Sequence, residues 1–242
     1  MRYELYYWAE IQGRGEFVRL ALEAAGADYV DVARLPEDEG GGDAAVVRMM
    51  EGRRAAHPSF APPFLKAGRL IIGQTANILL YLGDRHGLAP QAESGRLWTH
   101  QLQLTIADLV QEVHDTHHPI ASGLYYENQK AAARKRAQDF LENRAPKFLS
   151  YFDEILTENG GRFLVGQRLT CADLSLFQIV AGLRYAFPRA MKRLERRYKS
   201  VSQLHDFVQE KPRIREYLGS PRRIPFNQQG IFRHYAELDS ER

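Results

Sequence analysis

Residues 62–87 read PPFLKAGRLIIGQTANILLYLGDRHG, and the fold turns on how this stretch changes character halfway along. Phe64–Leu65 and Arg69–Ile72 are short apolar runs that suit strands, and Lys66–Ala67–Gly68 between them has the length of a tight hairpin turn. From Gln74 the period lengthens, and Ile78, Leu79 and Leu82 recur on one side of a helix. A hairpin that feeds an amphipathic helix is the closing half of a small α/β unit.

The opening half lies upstream. Residues 3–8 (YELYYW) form an aromatic strand, followed by a loop that ends at Gly13. In 16–26 (EFVRLALEAAG), Phe17, Leu20, Ala21 and Ala24 fall at helical spacing, with Gly26 as the C-terminal cap. Residues 28–35 (DYVDVARL) read as a second strand, 36–43 (PEDEGGGD) as a mobile acidic loop, and DAAVVRMMEG as a short helix. The resulting order is β-α-β-α-β-β-α.

After Pro90 the strand signals stop. Residues 93–118 form a long helix through Leu102, Ile106, Leu109 and Val113, and 128–158 form a second, which Pro146 kinks or divides. Thr170-Cys171-Ala172-Asp173 is a capping-box pattern, after which Leu174, Phe177 and Ile179 continue as a buried helix. The second part is therefore all helical, with the boundary near 84–92. No internal repeat or low-complexity tract interrupts it.

Length and charge narrow the function. A chain of 242 residues fits one large or two small domains, and a net charge of +3 gives no basic stripe for nucleic acid. The short runs MKRLERRYK and SPRRIP read as solvated faces. The single cysteine, Cys171, excludes an internal disulfide and a cysteine metal cluster, and its place in a capped helix reads as core. MRYELYYW lacks the pattern of a signal peptide and no apolar run reaches bilayer length, so the expectation is a soluble, cytoplasmic protein with no membrane partner.

Several residues carry chemistry. Tyr6 and Tyr7 are adjacent on a strand, so they must point to opposite faces. Gly13-Arg14-Gly15 opens a helix just beyond that strand, and Gln74–Thr75 opens another; both are helix N-termini that favour an anion. Thr75 reads equally as a plain N-cap. In HDTHHP (114–119), His114 and His118 share a helix face, but no carboxylate or cysteine completes a zinc pattern, so these imidazoles read as lining a polar cleft and no metal is expected.

Together, LYYW…GRGEFVRLALE, APPFL followed by GQTANILLYL, the break to helices, and GQRLTCADLSLF resemble the cytosolic glutathione S-transferases over nearly the whole chain, most of all the tyrosine-type classes. The resemblance implies a thioredoxin-like, glutathione-binding domain at 1–84. It implies an all-helical domain at 92–242 that completes a site for hydrophobic electrophiles. Glutathione would be the co-substrate and the protein a homodimer. Tyr7 matches the tyrosine that stabilises the glutathione thiolate, with one extra residue in the loop that follows. Arg14 matches an arginine that polarises it, while Tyr6 packs. Pro63 matches a cis-proline before the third strand, and Pro62 presents its backbone to the cysteinyl part of glutathione. Gln74 and Thr75 match the γ-glutamyl carboxylate pair, and Asp108 matches the aspartate that reaches the partner subunit's site.

In 36–61 the familiar tryptophan and lysines are missing, which leaves Arg48, Arg53, Arg54 or His57 for the glycine carboxylate. Trp8, Ile11, His118, Phe226 and Phe232 are candidates for the electrophile pocket. The competing reading is a non-catalytic protein of the same fold that binds ligands or other proteins.

Overall fold

The computed structural model describes residues 1–52 and 57–239. The first part holds strand β1 (Tyr3–Tyr6), helix α1 (Gly15–Ala25), strand β2 (Tyr29–Asp31), helix α2 (Asp43–Glu51), the hairpin β3 (Phe64–Ala67) and β4 (Leu70–Gly73), and helix α3 (Thr75–His86). They form one mixed four-stranded sheet in the order β2-β1-β3-β4. Strand β1 runs parallel to β2 and antiparallel to β3, with Leu5 opposite Leu65 and Tyr6 opposite Phe64. The β-α-β order of β1, α1 and β2 makes that first pair parallel, because a crossover helix returns the chain to the same end of the sheet.

Alternation divides the side chains of β1. Tyr3 and Leu5 enter the main core with α1 and α3, whereas Tyr6 joins a smaller cluster with Val32, Ala45, Val46 and Phe64 beneath α2. Three boundaries differ from expectation. The second strand is only three residues long, because the chain turns into a 3-10 helix at Val32–Arg34 that buries Val32 and Ala33. Another 3-10 turn, Glu37–Glu39, occupies the acidic loop. The hairpin turn sits at Gly68–Arg69 rather than Lys66–Gly68, because Gly68 takes the left-handed conformation at φ 64°.

The second part is helical throughout: α4 (Glu93–Asp115), α5 (Lys130–Asp139), α6 (Ala145–Glu158), α7 (Cys171–Ala186), α8 (Pro188–Arg197), α9 (Lys199–Gln209) and α10 (Pro212–Leu218). Pro146 divides the long 128–158 segment as its missing N–H requires. A π-helical turn at Phe140–Arg144 separates α5 from α6, and the proline falls in the first turn of α6. Helix α7 is the central one, buried along most of its length. Its N-terminus is held by Asp173, whose carboxylate accepts from Thr170 N–H (2.7 Å), Thr170 Oγ1 (2.8 Å) and Leu164 N–H (2.7 Å).

Cys171 is 1% exposed, with its Sγ donating to Leu79 O at 3.4 Å and its N–H to Leu88 O at 2.8 Å. The capped end of α7 thereby touches the middle of α3 and the residues just past its end. One continuous apolar core then runs from β1 and α1 through α3 and α4 to α6, α7 and α9. Replacing Asp173 with alanine strands two buried N–H groups. The expected loss is roughly 2–4 kcal/mol of unfolding free energy, read from urea denaturation followed by circular dichroism.

Candidate functional site

Tyr7 is the first residue past β1, and it is buried. Its ring lies between two glycines. A Cβ at Gly13 would collide with the Tyr7 hydroxyl, and one at Gly15 would sit 2.6 Å from the ring. Gly13 also has a φ of 46°, so the turn needs glycine for conformation as well as for space. With the backbone so close, Arg14 N–H donates to Tyr7 Oη at 2.9 Å. That is the one hydrogen bond of the Tyr7 hydroxyl among the described residues. Burial raises the Tyr7 pKa, opposed by the Arg14 amide and by the charges of Arg14 and Arg19. The group therefore stays a neutral phenol at neutral pH, with a proton still to donate. Tyr6 has no such freedom: its hydroxyl donates to Glu4 Oε2 at 2.7 Å on the other face of the sheet.

The loop between Tyr7 and Gly13 is held from beneath and from the chain's far end. Arg19, fully buried, binds Asp31 Oδ2 at 2.6 Å and reaches Glu16 Oε2 and the Gln12 carbonyl at 3.4 and 3.3 Å. Glu16 accepts from Tyr217 Oη at 2.7 Å and from Arg223. Gln12 donates to Ile224 O at 2.5 Å and accepts from Gln178 at 2.7 Å, while Asn227 Nδ2 donates to Glu10 O at 2.8 Å. Nothing in the spacing of residues 221–227 signals this strap over the loop.

A cavity of about 290 Å³ brings Arg14, Gln74 and Thr75 together with Phe17, His100 and Gln103. Two buried polar atoms on its lining residues, Thr75 Oγ1 and His100 Nδ1, have no partner among the described residues. Gln74, not Thr75, occupies the cap position of α3, without a side-chain cap bond, so the plain N-cap reading of Thr75 does not hold. Gln74 also adopts a φ of 67°, a left-handed conformation that costs a non-glycine residue roughly 1–3 kcal/mol. Such strain persists where the surroundings force it, and here it turns the head of α3 toward the cavity wall. The Pro62–Pro63 bond is cis and immediately precedes β3.

Other expected residues lie apart. Tyr7, Pro62 and Pro63 do not line this cavity, and neither does Asp108, which stands exposed on α4 with no partner among the described residues. Arg48 lines a separate cavity of about 450 Å³ with Tyr6, Pro58 and Ser59, across the sheet. Arg53 and Arg54 lie outside the described residues. Phe232 is 3% exposed against Gly182 and Phe226 stacks on Tyr185, so both serve packing first.

The three histidines at the end of α4 form a cluster, but their nitrogens pair with each other, with the backbone and, at His114, with Asp115. His117 Nε2 donates to Ile231 O at 2.8 Å, and its Nδ1 lies 2.5 Å from His118 Nδ1. Among the described residues no group of three or more His, Cys, Asp or Glu is arranged to hold a metal ion, and no helix is long and apolar enough to cross a membrane.

Comparison with known proteins agrees with this architecture. The profile of the glutathione S-transferase C-terminal domain matches residues 114–221. A glutathione S-transferase of Plasmodium falciparum is 24% identical over 220 residues, covering 88% of this chain and 93% of that protein. Glutathione S-transferase P 1 of Xenopus laevis is 27% identical, covering 91% and 93%. Among solved structures, prostaglandin synthase D of Nilaparvata lugens superposes with a TM-score of 0.70 at 20% identity, over 93% of this chain and all of that one (100%). The Pi-class enzyme of Onchocerca volvulus gives 0.68 at 20% identity, over 90% and 92%. The shared fold is that of the glutathione S-transferases, a thioredoxin-like sheet unit joined to a helical one. Residues 114–221 thus match the glutathione S-transferase C-terminal domain, and the chain as a whole is similar to glutathione S-transferases over most of its length.

His117 gives this region a pH signature. Burial pushes its pKa down to about 3, helped by the charge of Arg233 and by His114 and His118, and opposed by the bond to Ile231. A base whose folded pKa lies below its unfolded value makes the folded state bind fewer protons, so stability falls as pH drops below the ordinary histidine range. Melting temperature should decline between about pH 7.5 and about pH 5, and His117→Gln, which keeps a donor for Ile231 O, should flatten that decline.

Proposed function

We propose that the protein transfers the thiolate of glutathione to hydrophobic electrophiles, with Tyr7 as the residue that stabilises the thiolate. The observation that carries this reading is the state of Tyr7 Oη, which accepts from Arg14 N–H and keeps its own proton. A thiol with an ordinary pKa of about 8.5 is mostly protonated at neutral pH, and only the thiolate attacks carbon. A phenol that stays neutral donates to a thiolate sulfur more strongly than to a thiol, and so lowers the pKa of the bound ligand. Arg14 adds a positive charge beside the same hydroxyl.

In this reading residues 1–84 are the glutathione-binding domain and 92–242 the domain that completes the electrophile site. Thr75 and Gln74 take the γ-glutamyl carboxylate at the head of α3, where the unpartnered Thr75 Oγ1 and the helix dipole both favour an anion. Pro62 offers its backbone carbonyl to the cysteinyl portion. Asp108 reaches the γ-glutamyl amine of a second copy, which supports a homodimer paired along α4. Leu97 (63% exposed) and Leu104 (50% exposed) fall on the same helix face as Asp108 and favour a covered surface there.

Two measurements test the reading. Calorimetry should show glutathione binding that Thr75→Ala weakens by about tenfold, the worth of one charge-assisted hydrogen bond. No binding at millimolar glutathione would favour a non-catalytic protein instead. With an activated aryl halide, Tyr7→Phe should lose most of the turnover while Tyr6→Phe keeps it. The reverse result would place the working hydroxyl on the other face of the sheet.

A further inference from the structure

Arg14 stands at the head of α1, half-buried, and its side chain does not rest on its own helix. Its Nη2 donates to Gln111 Oε1 on α4 at 2.9 Å. Gln111 is fixed in turn: its Nε2 donates to Asp115 Oδ1 at 2.7 Å, one helical turn further on. His114 Nδ1 lies 3.4 Å from that same Asp115 oxygen. An amide accepts through one end and donates through the other, so Gln111 can join a guanidinium to a carboxylate only in this orientation. The chain of contacts thus runs from the carboxylate at the end of α4, through one amide, to the cation beside Tyr7.

We propose that Gln111 and Asp115 are positioning residues for Arg14, holding its charge at a fixed distance from Tyr7 and from the sulfur of a bound thiol. The inference rests on the functional reading above. An arginine carries several rotatable bonds, and its effect on a neighbouring anion falls with distance and with solvent screening. Left unanchored at a half-exposed position, Arg14 would sample solvent and lend less of its field to the thiolate. Anchored to α4, it ties the polarity of the site to a helix of the other structural unit. The other charged or titratable groups facing this network are Arg19 beneath Tyr7, with His114 and Arg233 at the end of α4.

The test is the ionisation of glutathione bound to the full-length protein, followed by the ultraviolet absorbance of the thiolate against pH. Gln111→Leu is an exchange of neutral for neutral on an exposed helix face, so a shift of the midpoint must act through Arg14 and not through lost charge. The expected result is a midpoint raised by roughly half to one pH unit, with a smaller further rise when Arg14→Leu is added than Arg14→Leu gives on its own. Asp115→Asn, which keeps an acceptor for Gln111 Nε2, should stay near the wild-type midpoint, whereas Asp115→Leu should approach Gln111→Leu. That last shift has the opposite sign to the direct effect of deleting a negative charge. A midpoint raised by Arg14→Leu but untouched by Gln111→Leu would overturn the positioning role and leave the functional reading standing. A wild-type protein that leaves the thiol at its free value would overturn both.

Discussion

The rest of the structure depends on a carboxylate and a guanidinium buried without exposure at the start of α1, Glu16 and Arg19. Two charges out of water are tolerable only when opposite charges and hydrogen bonds offset most of the desolvation, and here only Arg19 Nη2 and Asp31 Oδ1 are left without a hydrogen-bond partner among the described residues of the cluster. Their partners come from widely separated segments: Asp31 at the end of β2, the carbonyl of Gln12, the Tyr217 hydroxyl on α10 and Arg223 in the tail. Loss of any one member leaves a buried ion short of a partner, a deficit of roughly 3–5 kcal/mol in comparable sites. The ion cluster therefore fixes the angle at which α1 leaves the sheet, and the segment from Tyr217 to Asn227 is bound to residues 10–16.

That constraint sets the geometry of Tyr7. The Gly13–Gly15 turn can press its backbone against the ring only because Arg19 and Gln12 hold the turn from behind. The short distance brings the Arg14 amide onto the hydroxyl, and Arg19 itself lies 5.9 Å from the ring centroid. A loop without regular secondary structure would ordinarily be free to move. Here Ile224 O, Gln178 and Asn227 bind its backbone and side-chain groups, so the loop is held in a defined shape.

Local rules made much of this legible in the sequence. Gly26 and Asp173 mark their helix ends through conformations and hydrogen bonds that depend on a few neighbouring residues, and both appear where the pattern places them. Pro146 likewise acts through its own missing N–H. Reading failed where tertiary contacts override the pattern. Residues 28–35 carry strand composition, yet the chain bends at Val32 because that side chain finds burial beneath α2. Thr75 resembles a cap, but the strained Gln74 takes the cap position. The polar partners of the site, Gln111, Asp115 and the 221–227 strap, were invisible because a lone amide or carboxylate on a helix looks the same in sequence whether it faces solvent or a distant cation.

One buried group has a bearing on chemistry it takes no part in. Cys171 is the only thiol in the chain, and burial pushes its pKa up to about 12 while its sulfur stays committed to a backbone carbonyl. Under the proposed function the protein would be exposed to alkylation by its own electrophilic substrates. It presents no thiolate of its own to compete with that of a bound ligand, so a thiol-reactive dye added to the folded protein with glutathione should count the added thiol alone.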